Sequence, residues 1–230
     1  MEHMSMLLGF GALDQIALAV VVVTWLVIGW FIEHPPASRP SVSLLMQAYR
    51  REWMQQFLTR QPRIFDASMI DSLRQSTAFF ASASMIAIGG AIAMIGNPAA
   101  VRGVAADLTL STESLAVELR VLLVVGFLAN ALLKFIWSHR LFGYCSIMMA
   151  AVPNDPADPM AAPRAAQAAE LNITAAKSFN RGLRSIYFAL GSLAWLLGGY
   201  ALIAASLLTA AVLFRREFAS TSRQIMLQSA

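Results

Sequence analysis

Apolar side chains run along the chain in four long blocks separated by polar, proline-containing stretches. The first block runs from Leu13 to Ile32 and is interrupted by Asp14, Gln15 and a few small residues. About 20 residues at 1.5 Å each cross the roughly 30 Å of hydrocarbon in a bilayer. No Lys or Arg precedes this block, and Glu33-His34-Pro35-Pro36 follows it in place of a small-residue cleavage pattern. The pattern predicts a retained membrane helix rather than a cleaved signal peptide.

The stretch from 33 to 75 has a different period. Ser41 is placed to cap a helix running over about 42–58. Val42, Leu45, Met46, Tyr49, Trp53 and Phe57 fall on one face of it at three- and four-residue steps, with Gln47, Arg50, Arg51 and Gln55 elsewhere. Such an amphipathic helix suits the headgroup layer of a membrane, or a packed cytoplasmic position against a neighbouring subunit. Pro62 ends it, and Asp66 can cap a further turn leading to Leu73.

A second apolar block, 77–96, is rich in small residues. Ala83, Ala87 and Ala91 recur every four positions beside Gly89 and Ala93, a spacing that lets membrane helices approach closely. Asn97-Pro98 is expected to end it. The third block, 118–138, carries Arg120, Asn130, Lys134 and Ser138 within an arc of about 80° on a helical wheel. After a turn-forming stretch from Pro153 to Pro163, an alanine-rich helix is expected over about 164–184, leading into the last block, 186–214. As one helix, those 29 residues would be about 43 Å long, well beyond the hydrocarbon thickness. A fold-back at Gly198-Gly199 makes a hairpin instead, places Trp195 and Tyr200 together at its turn, and returns Arg215, Arg216 and Arg223 to the side they came from. Its weakness is arm length, since about 14 residues reach only some 21 Å. The fold class that follows is an all-α, polytopic membrane bundle forming a single membrane domain over 1–230. It has four long apolar segments, or five membrane helices with the hairpin, plus the amphipathic helix and a cytoplasmic helix.

Composition agrees with this. Hydrophobic residues make up 58% of the chain and charged ones 13%, against roughly 45–50% and 25% in soluble domains. A soluble globule, a disordered chain and a disulfide scaffold are excluded, the last because Cys145 has no second cysteine to pair with. Lys and Arg number 17 and Asp and Glu 13, and their placement gives orientation. Segment 33–75 holds six Lys or Arg and 139–184 holds five, whereas 97–120 holds two, Arg102 and Arg120. The positive-inside rule then puts the N-terminus outside and both long loops in the cytoplasm. No helix-turn-helix, RNA-binding or zinc module accompanies the charge, so no nucleic-acid partner is expected.

The search for catalytic chemistry is negative. His3, His34 and His139 are scattered, no Gly-rich phosphate loop or nucleophile elbow is present, and Asp155 and Asp158 sit between prolines that suit a turn. No catalytic residue, metal site or cofactor is expected, and the chain reads as a non-enzyme.

Several blocks nevertheless form a recognisable set. These are Arg51-Glu-Trp-Met, Arg63-Ile-Phe-Asp66, Thr77-Ala-Phe-Phe-Ala-Ser82 with Gly89-Gly90, and Lys134-Phe-Ile-Trp-Ser-His-Arg140 with Tyr144-Cys-Ser. Phe179-Asn-Arg-Gly-Leu-Arg184-x-x-Tyr-Phe-Ala and Arg215-Arg-Glu-Phe complete it. Together they resemble the proteobacterial membrane family named domain of unknown function 599, over nearly the whole chain. Members of that family often carry a His-Pro pair where this chain has Gly198-Gly199, and both break a helix. The resemblance implies an inner-membrane protein with about four spans and no established activity.

The basic residues of these blocks suggest a charged cytoplasmic membrane face. Arg50, Arg51, Arg63, Arg140, Lys177, Arg181 and Arg184 are expected there with Lys134, either attracting anionic lipid or holding an anion. Asp66, Asp71 and Glu52 could instead neutralise them. Two functions are compatible with the sequence. One is a small homo-oligomeric channel or transporter-like protein for a small, possibly anionic solute, with the Arg120–Asn130–Lys134–Ser138 stripe lining its path. The other is a non-catalytic accessory subunit or assembly factor of a larger inner-membrane complex.

Overall fold

The computed structural model describes residues 11–96 and 114–228, and every regular element among them is helical. In chain order these are α1 (Ala12–Glu33), α2 (Val42–Phe57), α3 (Ile64–Ile95), α4 (Ser114–Ala150), α5 (Ala161–Ser192), a 3-10 turn (Leu193–Leu197), α6 (Gly199–Phe218) and α7 (Thr221–Gln228). The expected stop at Asn97-Pro98 and the loop cation Arg102 lie outside the described residues. Among the described residues three helices are long and apolar enough to cross a bilayer: α1, α3, and α4 from Val117 onward. The chain is thus built as a membrane protein.

α3 and α4 are longer than the blocks that predicted them. With 32 and 37 residues they extend about 48 and 55 Å, so each outruns roughly 30 Å of hydrocarbon. No helix breaker separates the turn at Asp66 from the apolar run that follows, and the two are one helix. Likewise, the helix expected over 164–184 and the start of the last apolar block, as far as Ser192, are both parts of α5.

The helices divide into two compact units. The first comprises residues up to Phe31, then Ala83–Ala131 and Leu183–Arg216. Its core is aromatic and aliphatic: Trp25 meets Phe127 edge-on at 5.4 Å, Phe127 meets Phe188 at 5.9 Å, and Phe31 stacks on Phe214 at 6.1 Å. The fold-back occurs where Gly198-Gly199 suggested. Gly198 has φ +110°, a backbone conformation that side-chain-bearing residues rarely adopt. A Cβ on Gly191 would lie 2.9 Å from Thr209 Oγ1, so the arms run antiparallel in close contact. α6 spans 20 residues, about 30 Å, and exceeds the 21 Å arm because it stays helical through Arg215 and Arg216. Trp195 and Tyr200 flank the turn but diverge, with 1% and 78% of their surfaces exposed.

The second unit comprises Ile32–Ser82, Leu132–Gly182 and the segment from Glu217. Its core joins Met54 and Phe57 of α2, Ile70 of α3, Cys145 and Met149 of α4, and an alanine face of α5 that includes Ala161, Ala165, Ala168 and Ala169. Alanines at this spacing bring helix backbones together without large side chains between them. Ser41 caps α2 as expected: its hydroxyl accepts from Leu44 N at 3.2 Å and donates to Ile32 O at 2.8 Å. Glu217 adds a second cap, accepting from Ser43 N at 2.9 Å and Ser43 Oγ at 3.0 Å. A carboxylate there also complements the helix dipole. The apolar face of α2 is spent inside this unit, and Arg51, Glu52, Gln55 and Gln56 face outward. That is closer to the packed placement than to the headgroup one, with the chain's own helices in place of a neighbouring subunit.

Candidate functional site

The polar stripe of α4 is divided by its contacts. Ser138 is fully buried, and its hydroxyl donates to the Ala175 carbonyl of α5 at 2.7 Å. Asn130 Nδ2 donates to Ser185 Oγ, also on α5, at 2.6 Å. A polar side chain within an apolar helix is costly to bury unless it finds a partner, and these two find theirs on the neighbouring helix. Phe135, on the same helix, is fully buried and packs where a Cβ on Gly182 would approach to 2.6 Å. Only glycine at 182 admits that ring. Lys134 and Arg120 are half-buried, and Arg120 Nε has no acceptor among the described residues.

The basic residues expected at one membrane face have separate partners. Arg51 grips Glu170 with Nε to Oε1 at 2.6 Å and Nη2 to Oε2 at 3.3 Å, and this hydrogen bonding raises its pKa. Arg181 grips Glu33 in the same two-pronged way, with Nε to Oε1 at 2.9 Å, and its pKa is raised by the same cause. Arg50 reaches the Asn172 carbonyl oxygen, and burial lowers its pKa. Arg63 donates to the carbonyls of Val152 and Pro153, both at 2.9 Å, and lies 4.3 Å over the Phe57 ring. Arg164 takes the Ala151 carbonyl at 2.7 Å. These two arginines therefore hold the turn that leaves α4 at residues 151–153, just past a helix end where cations are favoured. Arg140 donates to Tyr144 Oη at 3.0 Å. Arg184 is buried beside Gly29, and Lys177 is exposed.

The acids that neutralise this face differ from those the sequence suggested, apart from Asp66. Asp66 is fully buried and accepts from Trp53 Nε1 at 2.6 Å and from Arg60. Glu170 and Glu33 were missed, because Glu170 lies 119 residues from Arg51 and Glu33 lies 148 from Arg181. No local spacing announces either pair. Asp14, which interrupts the first apolar block, accepts from Trp195 Nε1 at 2.7 Å. Cys145 is a core residue, donating to the Ala168 carbonyl at 3.3 Å.

A groove of about 320 Å³ lies between α2 and α5, walled by Met54, Leu58, Ala165 and Ala169 and rimmed by Arg51 and Glu170. Its aliphatic walls and self-neutralised rim present no reacting group. Among the described residues no cluster of three His, Cys, Asp or Glu could hold a metal ion.

The family model described as "Protein of unknown function, DUF599" matches residues 16–222. The chain belongs to this family. No curated protein and no solved structure matches it. In this DUF599 chain the blocks that carried the resemblance supply many of the polar contacts described above. Examples are Arg51, Trp53, Arg63, Asp66, Ser138, His139 and Glu217. Two further residues meet at the α3–α4 seam without having been singled out as a site: Arg74 and His139.

Proposed function

We propose that the protein is a non-catalytic inner-membrane protein that works as a homo-oligomer, with the outward face of α3 as the contact between copies. The observation that carries this reading is that only 6% of the apolar window of α3 is buried, against 22% for α1 and 33% for α4. Ala83, Ala87 and Gly90 are exposed and continue to the exposed Met94 at steps of four, three and four. Small residues on an outward face favour close packing of like helices, since lipid provides no hydrophobic drive and dispersion contacts must hold them. No ionisable side chain lies between Thr77 and Ile95, so two copies in the same orientation meet without like charges. The outward stripe of α4 lacks this property, because Arg140 would face Arg140 of the second copy. The Lys and Arg distribution supports an N-terminus outside and both long loops in the cytoplasm, and anionic lipid is the expected neighbour of the exposed cations.

The solute-handling reading changes with the geometry. Asn130 and Ser138 are committed to α5, so a path for a small anion would run between copies, with half-buried Lys134 as its stripe residue. The accessory-subunit reading uses the same face of α3 with an unrelated partner. Particle mass in mild detergent decides between them. A mass of two or more whole chains and nothing else supports the homo-oligomer, and a monomer or a stoichiometric unrelated partner overturns it.

A further inference from the structure

The outward stripe of α3 does not stop where the apolar run does. Eighteen residues make about five full turns of an α-helix. Phe65, Met69, Ser72 and Ser76 therefore lie on the same line of α3 as Ala83, Ala87, Gly90 and Met94. Phe79 joins the two sets at steps of three and four, and every one of these residues is exposed. The first four precede Thr77, in the polar half of the helix. At about 48 Å, α3 is long enough to carry them beyond the hydrocarbon.

An outward Phe79 is ordinary in lipid. In water, Phe65 and Met69, exposed at 60% and 41%, are apolar surface whose burial is favourable. No ionisable residue lies on the line. Asp71, on its flank, is turned to Gln75 at 2.7 Å. Arg60 lies 5.3 Å over the Phe65 ring and is neutralised by the buried Asp66. The Ser76 hydroxyl donates to the Ser72 carbonyl at 3.0 Å, so covering it removes no hydrogen bond.

We infer that the polar half of α3, through Phe65, Met69, Ser72 and Ser76, pairs with the same half of a second copy as a two-helix stem outside the membrane. The inference rests on the α3 contact proposed above and extends it to a surface with a different driving force. Lipid gives helices no hydrophobic drive, whereas the aqueous half supplies one by burying Phe65 and Met69. Copies inserted in one orientation carry this line at one height. A two-fold pair then sets each residue beside its own counterpart, with no like charges meeting. The exposed part of the line from Phe65 to Met94 is on the order of 600 Å² per copy, so a pair buries about 1,200 Å², the lower end for a specific interface. The membrane stretch alone, mostly Ala and Gly, falls well short of that. Contact in both halves also requires a small crossing angle of about 20°, as in left-handed bundles.

The test is cysteine crosslinking of the full chain in native membranes. Met69→Cys and Ser72→Cys lie on the line, and Ala67→Cys, exposed on the other side of α3, is the control. The first two should give a species of twice the chain mass at several times the yield of the control. Ala87→Cys, run beside them, separates the stem from the membrane contact. Crosslinking of Ala87→Cys without Met69→Cys or Ser72→Cys overturns the stem and leaves the membrane contact standing. The reverse pattern overturns the membrane contact alone, and failure at every position overturns both. Equal yields that include Ala67→Cys report collision and overturn the stem, as does a crosslinked species of any other mass, which assigns the face to an unrelated protein. Phe65→Ser and Met69→Ser, at exposed positions, should each raise the dissociation constant between copies in detergent about tenfold. An unchanged constant in both variants also overturns the stem.

Discussion

Trp195 donates its indole N–H to the Asp14 carboxylate at 2.7 Å, joining the turn of the hairpin to the first turn of α1. Beside this bond, a Cβ on Gly199 would meet Leu13 at 2.9 Å, so the turn sits tightly against that helix end. At the other end of α1, Gly29 lies against Arg184 and Phe31 stacks on Phe214. The hairpin is therefore matched to α1 along most of its length, and the carboxylate in an apolar block is explained by its partner. Trp195→Phe keeps an aromatic ring but removes the donor and part of the buried bulk. It should lower stability by about 1–2 kcal/mol, read as thermal unfolding in detergent, with Asp14→Asn costing less because an acceptor remains.

Gly182→Ala tests the packing of α4 on α5. The added methyl would stand 2.6 Å from Phe135 Cε1, and a ring held between Phe80 at 5.4 Å and Phe179 at 5.5 Å has little room to move. Overpacking of this kind costs about 1–3 kcal/mol. Gly191→Ala should be milder, and pairing it with Thr209→Ala should restore much of the loss, because the obstacle there is the Thr209 hydroxyl.

The fold was legible where the sequence speaks locally. Ser41 announced its cap, Gly198-Gly199 its turn, and the four apolar blocks their helices. The ends of the helices were less legible. Polar residues such as Asp71, Gln75 and Arg140 read as loop or interface when they lie on helices that outrun the membrane. The candidate site was legible in residue type but not in role. Arg51, Arg63 and Arg181 read as a shared basic face until Glu170, two backbone carbonyls and Glu33 are seen beside them. Those partners lie roughly 90 to 150 residues away in the chain, and no helical periodicity encodes such pairings.

Asn130 and Ser185 can be separated from any solute path by a double-mutant cycle. Asn130→Ala, Ser185→Ala and the double variant should give a coupling of about 0.6 kcal/mol, the usual size for a hydrogen bond between membrane helices. Any anion flux in liposomes should be unchanged by these substitutions. A flux loss beyond the stability loss would return Asn130 to the path.

The two kinds of ion pair should respond differently to substitution. Arg51→Ala removes a pair whose side chains are both about half exposed, so the loss should be under about 1 kcal/mol and shrink with salt. Asp66→Ala leaves the Trp53 indole and Arg60 without their shared acceptor in a fully buried position. That should cost about 2–3 kcal/mol and depend little on salt. Urea or thermal unfolding at two ionic strengths measures both.

The central claim, that α3 is the contact between copies, is tested most directly by cysteine crosslinking in native membranes. Cys145 is buried and contributes little background. Ala87→Cys on the outward face of α3 should crosslink to a species of twice the chain mass, and Leu133→Cys on the outward stripe of α4 should not. A monomeric Ala87→Cys chain under conditions that crosslink Leu133→Cys would contradict the account.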